Sequence, residues 1–341
     1  MALSSDAGYL PSAAPGIGRA AGKAWRDEVI LEDENRLSAQ AGTRDAVPRG
    51  PRFSDAYFRE LALNPQCPPR KRLAACDRLV RAGRFDRLGP VLDELSSDAE
   101  VGRDAARLAK VIERVSGWLH SSAGDTQTAD ADTDGEITGA ALIRRHEAAT
   151  GTALVFTGWA RQVWVSIGLF DRFMRRFPVN VVYLTEDAGL GYLDGIEGIG
   201  EDYAATVAGL RELLARLGAP DLYCLGTSSG GDAAMRYGLD LGASRVLAFS
   251  PYIGLTRSNL INEALPDMAV GVADLYRRAG CTPEVTVVFG EDSEPDRIAS
   301  TDFSDLPGIR LHPLAGYGRH DVIPELIATG RLEPLLADLL A

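Results

Sequence analysis

The chain has 341 residues, 45% of them hydrophobic, 25% charged and 7% aromatic, a balance that supplies a sizeable core and excludes a disordered, collagen-like or repetitive chain. With 36 basic against 48 acidic side chains the formal net charge is −12, which speaks against a nucleic-acid binder, because a phosphate backbone calls for a basic face. The acid is unevenly placed: residues 1–150 hold 21 basic and 23 acidic groups, whereas residues 151–341 hold 15 and 25.

Met1 to Arg52 is rich in Ala, Gly, Ser, Pro and charge without apolar periodicity, and reads as a flexible arm. It holds Asp6, prolines and scattered cations where a secretory leader would have a basic start followed by an apolar stretch. No run reaches the roughly 18 consecutive apolar residues of a membrane span, so a cytoplasmic protein without a membrane span is expected. Cys67, Cys76, Cys224 and Cys281 lack metal-type spacing and read as reduced, structural thiols.

A helical domain is expected over residues 53–120. Leu73, Cys76, Leu79 and Val80 fall at helical offsets, Gly83 marks a stop, and Phe85, Leu88, Val91, Leu92 and Leu95 resume the period on a second, antiparallel helix. Asp98 is placed to cap a third helix running to about Leu119. The run Leu79 to Leu88, with its small residues and glycine turn, weakly resembles one tetratricopeptide-like hairpin, but the roughly 34-residue period of such repeats does not recur. The favoured reading is a helical extension packed on the next domain. It is also a candidate surface for a protein partner or a second copy of the chain. Residues 52–120 carry 13 basic and 10 acidic groups, which suits docking on an acidic neighbour.

Residues 121–136 form an acidic linker; Asp125, Asp130, Asp132, Asp134 and Glu136 alternate there, but the distal Glu of a calcium loop is missing. From residue 137 to 341 strands and helices alternate. Strands are predicted at Gly139–Arg144, Thr152–Phe156, Val179–Leu184, Asp221–Leu225, Arg245–Phe249, Glu284–Phe289 and Ile309–Leu314. Helices are predicted at Val165–Phe177 and Tyr203–Leu217, with others opening at Ser229 and Asp321. Short apolar strands alternating with helices imply an α/β fold, a mostly parallel sheet covered on both faces.

The chemistry gathers at strand ends. Leu222 to Leu225 runs into Gly226-Thr227-Ser228-Ser229-Gly230 and then into a good helix. In a strand, Gly-x-Ser-x-Gly, helix arrangement the central residue is strained, its neighbours two positions away must be small, and its Oγ stands clear of the sheet edge. That describes Ser228. Centring the turn on Ser229 would put β-branched Thr227 in a small position. The helix start offers free N–H groups where an oxyanion would form.

An activated serine needs a base and a group that orients it. Of His120, His146, His312 and His320, only His320 follows the last strand within a glycine-containing loop. The acid is expected after Val285–Phe289, where Asp296 is favoured and Asp292 and Glu294 are held as alternatives.

The order Ser228, acid, His320 resembles the α/β-hydrolase family over about Ile137 to Ala341. The resemblance implies a mainly parallel sheet with the triad at its C-terminal edge. It also implies an oxyanion hole combining the Ser229 N–H with one from Thr157-Gly158-Trp159, although the His-Gly-Gly-Gly run of lipases is absent. Trp159, Arg161 and Trp164 are candidate pocket residues. The interval Ser250 to Pro283 is where the family inserts lids, with Tyr252, Leu255, Leu260, Met268, Val272 and Tyr276 as further pocket candidates, and the helical region is expected to contribute to the cover.

The expected activity is that of a serine hydrolase cleaving an ester, thioester or amide of a small-molecule acyl substrate through an acyl-enzyme, with no metal and no organic cofactor. The alternatives are an acyltransferase using the same triad and a non-catalytic scaffold binding a protein partner through its helices.

Overall fold

Successive strand residues face opposite ways, and in this chain both sets find cover. In the computed structural model, residues 54–121, 135–158, 161–186, 189–251, 261–279 and 283–341 are described, side chains 118–121 and 267 excepted. The predicted arm over 1–52 and nearly all of the predicted acidic linker lie outside them. Residues 53–341 form one unit by their contacts.

The strands are β1 (Glu136–Thr138), β2 (Ala141–Arg144), β3 (Gly151–Phe156), β4 (Val179–Leu184), β5 (Asp221–Thr227), β6 (Arg245–Phe249), β7 (Glu284–Gly290) and β8 (Ile309–Leu314). They form one sheet in the order β1-β2-β4-β3-β5-β6-β7-β8. β2 is antiparallel to β1 and β4, and every other pairing is parallel. The predicted strand Gly139–Arg144 is thus a hairpin: Gly139 and Ala140 make the turn, and residues 136–138 supply a short antiparallel edge.

The helices are α1 (Asp55–Leu63), α2 (Pro69–Arg81), α3 (Leu88–Leu95), α4 (Gly102–Ser121), α5 (Ile167–Met174), α6 (Tyr203–Leu217), α7 (Ser229–Leu241), α8 (Val272–Ala279), α9 (Glu294–Thr301), α10 (Val322–Ala328) and α11 (Leu332–Leu339). Asp98 does cap a turn, its Oδ1 accepting from the N–H groups of Glu100 and Val101, and α4 follows at Gly102. α5 is shorter than predicted. Ser166 caps it by accepting from the Leu169 N–H, and Trp164 before it has a positive φ of 61°, which a helix does not allow. The terminal helix is two helices, parted at residues 329–331.

Alternation along the central strands sorts the core into two clusters. Ala153, Val155, Val181, Tyr183, Tyr223, Leu225, Leu247 and Phe249 face one way, under α1 to α5, α10 and α11. Leu154, Phe156, Val182, Leu184, Cys224, Val246 and Ala248 face the other, under α6, α7 and α8. Leu73, Cys76, Leu79 and Val80 of α2 and Leu88, Leu92 and Leu95 of α3 therefore bury their apolar stripe in the same cluster as the sheet. Each such leucine removed from water stabilises the packing by about 1.5–3 kcal/mol. Among the described residues no helix is long and apolar enough to cross a membrane.

Candidate active site

The turn between β5 and α7 is a single residue. Ser228 has φ 53° and ψ −123°, a conformation that side-chain-bearing residues rarely adopt. Its N–H donates to the Phe249 carbonyl at 2.9 Å and its carbonyl accepts from the Gly231 N–H at 2.8 Å, so the strained turn is tied to β6 and to its own helix. The flanking glycines are sterically required. A Cβ on Gly226 would run into the Gly230 carbonyl, and one on Gly230 would run into the carbonyl oxygens of Phe156 and Thr157 at the end of β3. Ser228 is half-buried, whereas Ser229 is 1% exposed and its Oγ has no partner among the described residues.

The loop after β8 brings His320 to the same edge. Its Nε2 lies 2.9 Å from Ser228 Oγ, and its Nδ1 lies 2.7 Å from Asp296 Oδ1. Asp296 is 2% exposed in the first turn of α9, where the helix's positive end favours an anion, while Asp292 and Glu294 are exposed. The other histidines whose side chains are described have different partners. His146 Nδ1 accepts from the Ala148 N–H, and His312 Nε2 lies 2.7 Å from an Arg331 nitrogen. The His120 side chain lies outside the described residues.

The loop after β3 departs from expectation at Gly158. Its N–H already donates to the Gln162 carbonyl at 3.0 Å, closing a local turn, and the Thr157 N–H donates to the Leu184 carbonyl at 3.0 Å. Neither is a free oxyanion donor, and Trp159 lies outside the described residues. Ser229 opens α7, and the first N–H groups of a helix have no intrahelical partner. Arg161, Trp164, Ser228 and Ser250 all have positive φ on loops at the C-terminal ends of β3, β5 and β6, a concentration of strain typical of functional edges. Among the pocket candidates of the Ser250–Pro283 interval, Val272 and Tyr276 are instead buried in the core under α8, with the Tyr276 hydroxyl donating to the Met235 carbonyl. Tyr252, Leu255 and Leu260 fall outside the described residues.

A cluster of ion pairs that sequence reasoning did not find lies directly beside His320. Asp321 accepts from Arg319 through Oδ1 and Oδ2, both at 2.9 Å, and from Arg81 of α2. Burial pushes the Asp321 carboxyl up, but Arg81 and Arg319 more than offset this and hold it well below the ordinary carboxylate range. Arg81 also donates to Asp77 at 2.7 Å and to the Trp164 carbonyl at 3.2 Å. Arg107 of α4 donates to the Tyr317 hydroxyl at 2.9 Å, which donates in turn to the Asp321 carbonyl at 3.0 Å. Arg81 and Asp321 are 240 residues apart, and no local pattern marks either.

The parallel sheet with one antiparallel strand near its edge, covered on both faces and carrying a strained Gly-x-Ser-x-Gly turn between strand and helix, is the α/β-hydrolase fold. No protein-family model and no curated protein matches the chain. Solved structures similar to it include Est1E from Butyrivibrio proteoclasticus, at 12% identity and a TM-score of 0.42, covering 58% of this chain and 93% of that one. Carboxylesterase CesB (YbfK) from Bacillus subtilis is similar at 12% identity and 0.42, covering 69% and 98%. A protein from Thermoplasma acidophilum described as a predicted CIB-like hydrolase is similar at 15% identity and 0.40, covering 60% and 97%.

Proposed function

We propose that the chain is a serine hydrolase acting on the carbonyl of an ester, thioester or amide of a small acyl substrate. The observation that carries this reading is the unbroken line from Ser228 Oγ through the two nitrogens of His320 to Asp296, at 2.9 and 2.7 Å, built on a strained turn. These are the distances at which a base takes a hydroxyl proton and a carboxylate orients the base.

In this reading Ser228 attacks the carbonyl carbon as its proton passes to His320 Nε2. The Nδ1–H, donated to Asp296, fixes the tautomer and steadies the imidazolium. The Ser229 N–H at the start of α7 receives the developing oxyanion. His320 returns the proton to the leaving alcohol, thiol or amine, leaving an acyl-enzyme. Water, activated by the same imidazole, then releases the acid and restores Ser228. The side chain of His320 is 36% exposed, so part of the imidazole is open to solvent. The free thiols of Cys67, Cys76 and Cys224 support a reducing, cytoplasmic setting for the reaction.

The test is hydrolysis of acyl esters and thioesters of graded chain length by the native chain, Ser228→Ala and His320→Ala. Turnover by the native chain with a burst of the first product, lost in both variants, is the expected result. Turnover that survives Ser228→Ala would overturn the reading.

A further inference from the structure

Two of the loops that build the site are held by one side chain from outside the sheet. The Arg81 guanidinium, at the C-terminal end of α2, binds Asp321, the residue next to His320, and donates to the carbonyl of Trp164, in the loop after β3. The Arg81 backbone adds a second tie to that loop, its carbonyl accepting from the Ser166 N–H at 2.6 Å. Trp164 takes a positive φ of 61°, so its conformation needs outside support, and its ring stands edge-on to the His320 ring at 5.2 Å between centroids. His320 thus meets Arg81 along two routes: through its chain neighbour Asp321 and through the flank of Trp164.

Electrostatics make this clamp stiff. Arg81 and Asp321 are mostly buried, with side-chain exposures of 18% and 12%, and both are multiply bonded. Asp77 shares the Arg81 charge, Arg319 shares that of Asp321, and Asp104 of α4 lies 3.6 Å from Arg319. Taking one member away leaves a buried charge or carbonyl short of a partner, which the surrounding loops must move to repair.

We infer that Arg81 is a positioning residue for His320, through which the N-terminal helices set the geometry of the catalytic edge rather than merely covering the sheet. The inference rests on the reading of Ser228 and His320 as nucleophile and base. A shift of about 1 Å in a catalytic group costs on the order of 100-fold in rate, so loosening the loop beneath the imidazole lowers turnover far more than it lowers substrate binding.

The test compares Arg81→Ala, Arg81→Lys and Arg72→Ala in the full chain, at a temperature where circular dichroism shows each fully folded. Arg72 is the control. It is buried on the same helix, paired at 2.7 and 2.9 Å with Glu94 and bonded to the Ala62 carbonyl, and it has no tie to the described residues of either loop. The measurements are kcat and KM on the best ester of the graded series, and the downfield Nδ1–H proton resonance of His320, assigned with His320→Gln. For Arg81→Ala we expect kcat lower by about 10- to 100-fold, a nearly unchanged KM and loss of the resonance by exchange broadening. Arg81→Lys, which keeps the charge but cannot span Asp321 and Trp164 together, recovers only part of the rate. Arg72→Ala loses thermal stability but keeps kcat and the resonance. A folded Arg81→Ala that keeps both, or an Arg72→Ala that loses both, overturns the inference. If the native chain hydrolyses none of the esters, the resonance alone decides the positioning role, and the hydrolase reading fails separately.

Discussion

Replacing Ser228 by glycine should give a more stable protein than replacing it by alanine, although both remove the proposed nucleophile. At φ 53° and ψ −123° a residue with a Cβ is strained, at a cost of about 1–3 kcal/mol. Glycine reaches this conformation, the mirror image of an ordinary extended one, without that cost. Both variants lose the 2.9 Å contact with His320 Nε2, so that loss cancels between them. Glycine has more freedom to lose on folding, about 0.5–1 kcal/mol relative to alanine. The balance leaves Ser228→Gly ahead by about 1 kcal/mol, or roughly 2 °C in Tm for a chain of this size. The sign is the diagnostic, since at an unstrained position glycine is the less stable of the two. Urea unfolding of the two variants and the native chain, followed by circular dichroism, measures it. An alanine variant as stable as the glycine variant, or more so, would refute the claim that the fold holds this turn under strain.

Asp296→Asn should lower kcat by about 100- to 10,000-fold, whereas Asp292→Asn, at an exposed position, should change it little; steady-state kinetics separates the two. Burial pushes the Cys76 thiol up to about 11 and that of Cys224 further still, so iodoacetamide at about pH 8 should modify both in urea but neither in the native chain, as read by mass spectrometry. The Asp321 carboxyl is held below its unfolded value of about 3.9, so its contribution is fully present above that pH and is lost as pH falls through the depressed native value. The stability deficit of Asp321→Asn should therefore be largest near neutral pH and shrink between about pH 4 and 2; parallel urea-stability curves would contradict this.

Much of the fold was legible because its signals are local. Tyr203–Leu217, Arg245–Phe249 and Val179–Leu184 run as the apolar pattern predicts, since each is a complete helical stripe or buried strand. The Ser228 turn was legible for the same reason: two glycines and a serine lie at the end of one strand and the start of one helix. Single-residue conformations were less visible. Nothing around Trp164 announces a positive φ, yet that residue sets where α5 begins. Gly139 and Ala140 read as strand because their neighbours are apolar, whereas the chain turns there to form a hairpin edge.

Choosing among the acids after β7 depended on depth, which sequence spacing does not encode. Asp292 is nearer the strand, but the chain turns it outward, and the first turn of α9 buries Asp296 against His320. The partner of the Gly158 N–H was hidden too, because a turn within residues 158–162 engages the group that family resemblance offered to the oxyanion. Least visible was the contact between the helices and the site. Arg81 is one arginine among many on a basic helix, and only the packed fold brings it to Asp321.

The most direct measurement is the site of covalent capture. The intact chain, treated with a fluorophosphonate, digested and sequenced by tandem mass spectrometry, should carry one adduct, on Ser228, with Ser229 unmodified and no labelling in His320→Ala. An adduct on Ser229 or another serine, or a folded chain that takes no label, would contradict the account.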